Sequence, residues 1–180
     1  CDPDGNEYFV DSVLSRAWMK YHSDIKTAKI KVSGVSTITD IFSGEDADGN
    51  YASCENLESV DFTGSDLSNV HSMVWLLSYS DKLKEVIMGS KVNTSALCDI
   101  TEMFYGCTKL EKVDMSGMDL SSLTQAHNVF GKCQSLKYIN TPYKMGKTAV
   151  GLVHNMKKAS GEVFDKIPEY SDSSISLEWD

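Results

Sequence analysis

The chain repeats itself with a period of 26 to 27 residues, and that self-similarity constrains its fold more than any single motif does. Phe104, Cys107, Leu110, Val113 and Met115 serve as a ruler. Moving forward by 26 lands on Phe130, Cys133, Leu136, Ile139 and Thr141, and moving back by 27 lands on Leu77, Ser80, Leu83, Val86 and Met88. A further 26 back gives Cys54, Leu57, Val60 and Phe62. A unit of this size cannot bury its own apolar residues, so consecutive units must stack into one continuous core.

Each unit reads as two halves. Leu97, Ile100, Met103 and Phe104 fall at i, i+3, i+6 and i+7, a spacing that predicts one face of a helix. Val35-Ile38-Ile41-Phe42, Val70-Met73-Leu76-Leu77 and Leu123-Ala126-Val129-Phe130 repeat it. The second half, Leu110-x-x-Val113-x-Met115, ends in the two-residue alternation of a short strand. Ser116-Gly117, Thr63-Gly64 and Met88-Gly89 supply the bend that follows. The fold class this predicts is α/β: a leucine-rich-repeat solenoid with about five parallel strands on the concave face and helices on the convex face.

The predicted organisation is an N-terminal helical cap over 1–27, a solenoid over 28–141 and a small β-rich C-terminal cap over 142–180. The first cap rests on Phe9, Val13, Ala17, Trp18 and Tyr21 at helical spacing. The first repeat strand is read at Lys29 to Gly34, and a nine-residue insertion lies within Ser43 to Ser53. Beyond Asn140 the repeat gives way to short apolar pieces, Ala149 to Val153, Val163-Phe164 and Ile175 to Trp179, between Gly and Ser clusters. Pro142 and Pro168 suit irregular edges.

Cys54, Cys107 and Cys133 share one repeat position, where Ser80 stands in the second copy, so they read as free thiols packed in the core. Two loops share D-x-D-G-N, Asp2 to Asn6 and Asp46 to Asn50. Neither has the bidentate Glu of a calcium loop, which makes them Asx-type turns. There is no G-x-S-x-G, Walker loop, H-E-x-x-H or dinucleotide glycine motif, so the expectation is a protein that is not an enzyme and takes no cofactor or metal. A net charge of −9 disfavours nucleic acid as a partner. No apolar run reaches the length of a transmembrane segment.

The stretch Met103-Phe104-x-x-Cys107-x-x-Leu110-x-x-Val113-Asp114-Met115-Ser116-x-Met118-Asp119-Leu120-Ser121, echoed by Val129-Phe130-x-x-Cys133-x-Ser135-Leu136, resembles the BspA-like class of bacterial leucine-rich repeats. That class has the pattern M-F-x-x-C-x-x-L-x-x-L-D-L-S-x-F-D-T-S. The resemblance covers about residues 28 to 141 and departs at Leu76-Leu77 and Ser80. It implies a bacterial cell-surface or secreted module that attaches to a protein or glycan on the host or a neighbouring microbe, acting as a monomer. A structural or self-assembling element of the cell surface is the alternative. Cys1-Asp2 is compatible with the lipid-bearing first residue of a bacterial lipoprotein, and equally with an arbitrary chain start.

On the concave-face reading, the residues between buried strand positions form the ligand surface: Lys29 and Lys31; Ser59, Asp61 and Thr63; Glu85; Lys112, Asp114 and Ser116; Tyr138 and Asn140. Asp61, Asp114 and Asn140 hold one repeat position and form a hydrogen-bonding column suited to a polar polymer or glycoprotein.

Overall fold

The computed structural model describes residues 21–45, 51–90, 92–146, 148, 156–158 and 176–179 of the 180-residue chain. Its main sheet is built from one three-residue strand per repeat. β1 (Thr27–Lys29), β4 (Ser59–Asp61), β5 (Glu85–Ile87), β6 (Lys112–Asp114) and β8 (Tyr138–Asn140) run parallel in that order. β11 (Ser176–Trp179) then pairs antiparallel with β8, and β10 (Met156–Lys158) with β11. The central residues of β4, β5 and β6, Val60, Val86 and Val113, point inward and are at most 1% exposed, while their strand neighbours face solvent.

The predicted convex helices are absent: the described residues contain no α-helix, and the architecture is a parallel β-solenoid. The apolar spacing explains both the expectation and its failure. Buried Leu67, Val70, Met73 and Leu76, then Leu77, Ser80, Leu83 and Val86, run at intervals of three through the whole coil. In a helix of 3.6 residues per turn, a stripe at i, i+3, i+6 drifts by about 120° around the axis and leaves the core. A chain that bends in successive three-residue turns keeps every such residue inward.

The backbone hydrogen bonds show the same thing. The N–H groups of Met73, Trp75, Leu77 and Tyr79 donate to the carbonyls of Asp99, Thr101, Met103 and Tyr105 in the next coil, at 2.8 to 3.1 Å. The N–H groups of Leu76, Ser78 and Ser80 donate locally to Met73, Trp75 and Leu77, three residues back. The pattern recurs one coil later, where Ile100, Glu102, Phe104 and Gly106 donate to Gln125, His127, Val129 and Gly131. Alternate donors therefore leave the segment, which an α-helix does not permit. Asp40, Trp75, Glu102 and Asn128, at one repeat position, all have φ between 52° and 56°, and Tyr79, Gly106 and Lys132 at another have φ of 59°, 78° and 63°. A left-handed residue every four positions ends any right-handed helix. Parallel bridges Thr37–Ser72–Asp99–Gln125 make a second ladder along this side.

The core is a set of columns: Leu57–Leu83–Leu110–Leu136, Phe62–Met88–Met115, and Phe104 stacked on Phe130 at 5.3 Å and 4°. Each buried aliphatic or aromatic side chain contributes roughly 1.5–3 kcal/mol of transfer free energy. Corners that lack ladder bonds use hydroxyls instead. Ser65 Oγ accepts from Val32 N–H and donates to the Ile30 carbonyl. Thr94 Oγ1, fully buried, accepts from Asp119 N–H at 2.8 Å and donates to the Asp119 carbonyl at 2.9 Å. A third short ladder joins β7 (Asp119–Leu120) to β9 (Lys144–Met145).

The insertion in the first repeat forms an antiparallel pair, β2 (Ser43–Glu45) with β3 (Tyr51–Ser53). The helix predicted from Tyr8 to about Tyr21 lies outside the described residues except at its last position, and Cys1, both D-x-D-G-N loops, Ala149 to Val153, Val163-Phe164 and Pro168 lie outside them altogether. No helix among the described residues is long and apolar enough to cross a membrane.

Candidate binding surface

The strand register aligns Thr27, Ser59, Glu85, Lys112 and Tyr138 in one column and Lys29, Asp61, Ile87, Asp114 and Asn140 in another. The structure thus brings together eight of the predicted surface residues: Lys29, Ser59, Asp61, Glu85, Lys112, Asp114, Tyr138 and Asn140. The other three, Lys31, Thr63 and Ser116, follow their strands and stand at the corners. The first strand also lies two residues earlier than predicted, so Lys29 pairs with Asp61 rather than with Ser59. Period-two alternation leaves register open by two residues, and here Ala28, not Ile30, takes the inward place beside Val60.

Charges on this face neutralise one another from coil to coil. Lys112 Nζ lies 3.0 Å from Glu85, and Lys29 Nζ lies 4.0 Å from Asp61. Just before the strands, Glu58, Lys84, Glu111 and Lys137 alternate in sign, with Lys84 2.7 Å from Glu58 and Lys137 3.9 Å from Glu111. The Lys84 hydrogen bond and charge hold the Glu58 carboxyl below its usual range. In a parallel in-register stack like charges would face each other at every step, and alternation removes that repulsion.

Asp61 and Asp114 form the corners. Asp61 Oδ1 accepts from Thr63 N–H at 2.7 Å, and Asp114 Oδ1 accepts from Ser116 N–H at 3.0 Å. Asp66 with Ser68, Asp99 with Thr101, and Asp119 with Ser121 repeat the arrangement, as does Asn93 with Ser95. The D-x-[ST] spacing is thus an Asx turn used once or more per coil. Hydrogen bonds from Thr63 hold the Asp61 carboxyl low against the opposing effect of burial, with Lys29 assisting. Burial pushes the Asp119 carboxyl up, but Ser121 and Lys144, 3.2 Å away, outweigh it and the group ends below its ordinary value.

The thiols act between coils. Cys107 Sγ donates to the Leu77 carbonyl and Cys133 Sγ to the Phe104 carbonyl, both at 3.0 Å. Burial pushes the thiols of Cys54 and Cys133 up to about 12 and that of Cys107 higher still. Cys54, Cys98, Cys107 and Cys133 are free. No three metal-ligating side chains come together among the described residues.

The turn side carries a group that the sequence reading passed over. Trp75 and Tyr79 are 50% and 59% exposed. The Trp75 indole N–H donates to Glu102 Oε2 at 3.2 Å. Tyr79 meets Tyr105 edge to face at 5.5 Å, and Lys132 Nζ sits 4.9 Å from the centre of the Tyr105 ring. Each ring lies over a glycine of the next coil: a Cβ on Gly106 would come within 2.9 Å of Tyr79, and one on Gly131 within 2.7 Å of Tyr105. The signal was available in the repeat alignment, where Trp75 stands in register with Glu102 and Asn128, and Tyr79 with Gly106 and Lys132.

These features define a repeat solenoid whose coils share one core and differ at the surface. Residues 45–167 match the family model described as "Mycoplasma protein of unknown function, DUF285", and the chain belongs to that family. No curated protein and no solved structure matches the chain.

Proposed function

We propose that this protein is a non-enzymatic recognition module of the bacterial cell surface or its surroundings, which binds a protein or glycan of a host or neighbouring microbe. One observation carries the reading. Successive coils bury the same inward residues, with Leu57, Leu83 and Leu110 at 0% exposure and Leu136 at 4%, and leave the solvent-facing positions between them free to differ. Ser59, Glu85, Lys112 and Tyr138 occupy one such column without disturbing the ladder beneath. Recognition surfaces of stacked-repeat proteins are built this way. The BspA-like motif at Met103 to Ser121 supports the same role. The test is binding of the purified chain to immobilised mucin, matrix proteins and cell-surface polysaccharides. Saturable binding by a monomer is expected; a folded chain that binds none of them and self-associates with rising concentration favours an assembly element instead.

A further inference from the structure

Trp75 and Tyr79 are poorly suited to where they stand. Both adopt left-handed backbone, φ 56° and 59°, a region that bulky side chains rarely enter and that Asp, Asn and Gly tolerate. The other coils place Asp40, Glu102 and Asn128 at the first position and Gly106 and Lys132 at the second. Neither ring enters the core, since half or more of each residue is exposed. The backbone, the core and solubility are all served better by the residues found in the neighbouring coils. Strained, exposed aromatic residues point to a surface kept for contact.

The surroundings indicate what the surface contacts. The rings are held in place by Glu102, by Tyr105 and by the coil beneath, so little order is lost on binding. Glu102 Oε2 accepts from the indole, and a carboxylate with two oxygens has acceptor capacity beyond that one bond. Glu102 meets the Trp75 indole, Ser78 Oγ donates to the Glu102 carbonyl and Lys132 Nζ lies over the Tyr105 ring, so apolar faces alternate with polar groups instead of merging into the continuous apolar centre of a protein interface. Sugars have that alternation, with C–H faces that pack on rings and hydroxyls that donate to a carboxylate. The carboxylate at the centre and the net charge of −9 disfavour an acidic sugar.

We infer that the ridge formed by Trp75, Tyr79, Tyr105 and Glu102 is a binding site for neutral carbohydrate. This inference rests on the recognition reading and moves its contact surface from the sheet to the turn side.

The experiment applies the labelled full chain to a printed array of neutral and acidic oligosaccharides, beside mucin and matrix proteins. It is repeated with Trp75→Asn/Tyr79→Gly, each substitution introducing a residue that other coils carry at that position. The expected result is binding to neutral oligosaccharides, lost about tenfold or more in the double variant as for aromatic hot spots, with a melting temperature no lower than that of the unmodified chain. Lys109→Ala, at an exposed position that belongs to neither set of contact residues, leaves it intact. Equal binding by the double variant overturns the ridge as the site. Binding to the protein coats alone, or to acidic sugars alone, overturns the neutral-sugar inference and leaves recognition standing. A blank across the array and the proteins removes both.

Discussion

Gly117 and the Gly89 carbonyl of the preceding coil are so close that a Cβ at Gly117 would lie 1.9 Å from the Gly89 oxygen and 2.8 Å from the Ser90 carbonyl carbon. This is a contact between two backbones, so no side chain can swing aside to relieve it. Gly117→Ala must separate the coils at this corner. The expected cost is about 1–3 kcal/mol or more, read as a lower midpoint of urea unfolding. An unchanged midpoint would show that the coils do not approach in this way.

Thr94 tests the corner chemistry from the polar side. Its buried hydroxyl satisfies both backbone groups of Asp119. Thr94→Val retains the shape and strands those groups, and is expected to destabilise by roughly 1–3 kcal/mol. Thr94→Ser keeps the hydroxyl and recovers most of the loss. Equal unfolding midpoints for the two variants would contradict the assignment.

The corner carboxylates set the acid behaviour. Asp61 and Asp119 have folded values below their ordinary range. A group depressed in the folded state stabilises fully above its unfolded value, about 4 for Asp, and that stabilisation is lost as the pH falls through the folded value. Stability is therefore expected to decline below about pH 4. Asp119→Asn, which keeps an acceptor for Ser121 N–H and removes the charge facing Lys144, should flatten that decline. Parallel pH profiles of the two proteins would refute the role of Asp119.

Thiol reactivity follows burial. With the Cys54, Cys107 and Cys133 thiols pushed up by burial, alkylation of native protein at pH 8 should proceed at half-exposed Cys98 well before these three. Peptide mapping of a timed reaction reads this directly. Early labelling of Cys107, which is fully buried, would mean that the coils open readily.

The repeat period, the inward columns and the four strands from β4 onward (β4, β5, β6 and β8) were legible in the sequence because each buried residue recurs in register. The turn side was misread for a specific reason. Leu97-Ile100-Met103-Phe104 fits a helical face over eight residues, and its continuation through Cys107, Leu110 and Val113 at intervals of three is what separates a bending coil from a helix. Glycine gave little warning on this side, since Gly106 is the one glycine among its described left-handed positions, the others being Asp40, Trp75, Tyr79, Glu102, Asn128 and Lys132. Asp61 and Asp114 were read as contact residues, but each also carries an Asx turn, a role that the D-x-[ST] spacing announces. The exposed aromatic pair escaped because Trp75 and Tyr79 recur in no other coil and so stand outside the repeat pattern.

Recognition is tested most directly by an equilibrium binding isotherm of the monomeric full chain on mucin, matrix-protein and polysaccharide surfaces. The prediction is saturable binding to at least one surface, with one chain per site and no dependence on self-association. A folded, monodisperse chain that binds none of them across the accessible concentration range would contradict it.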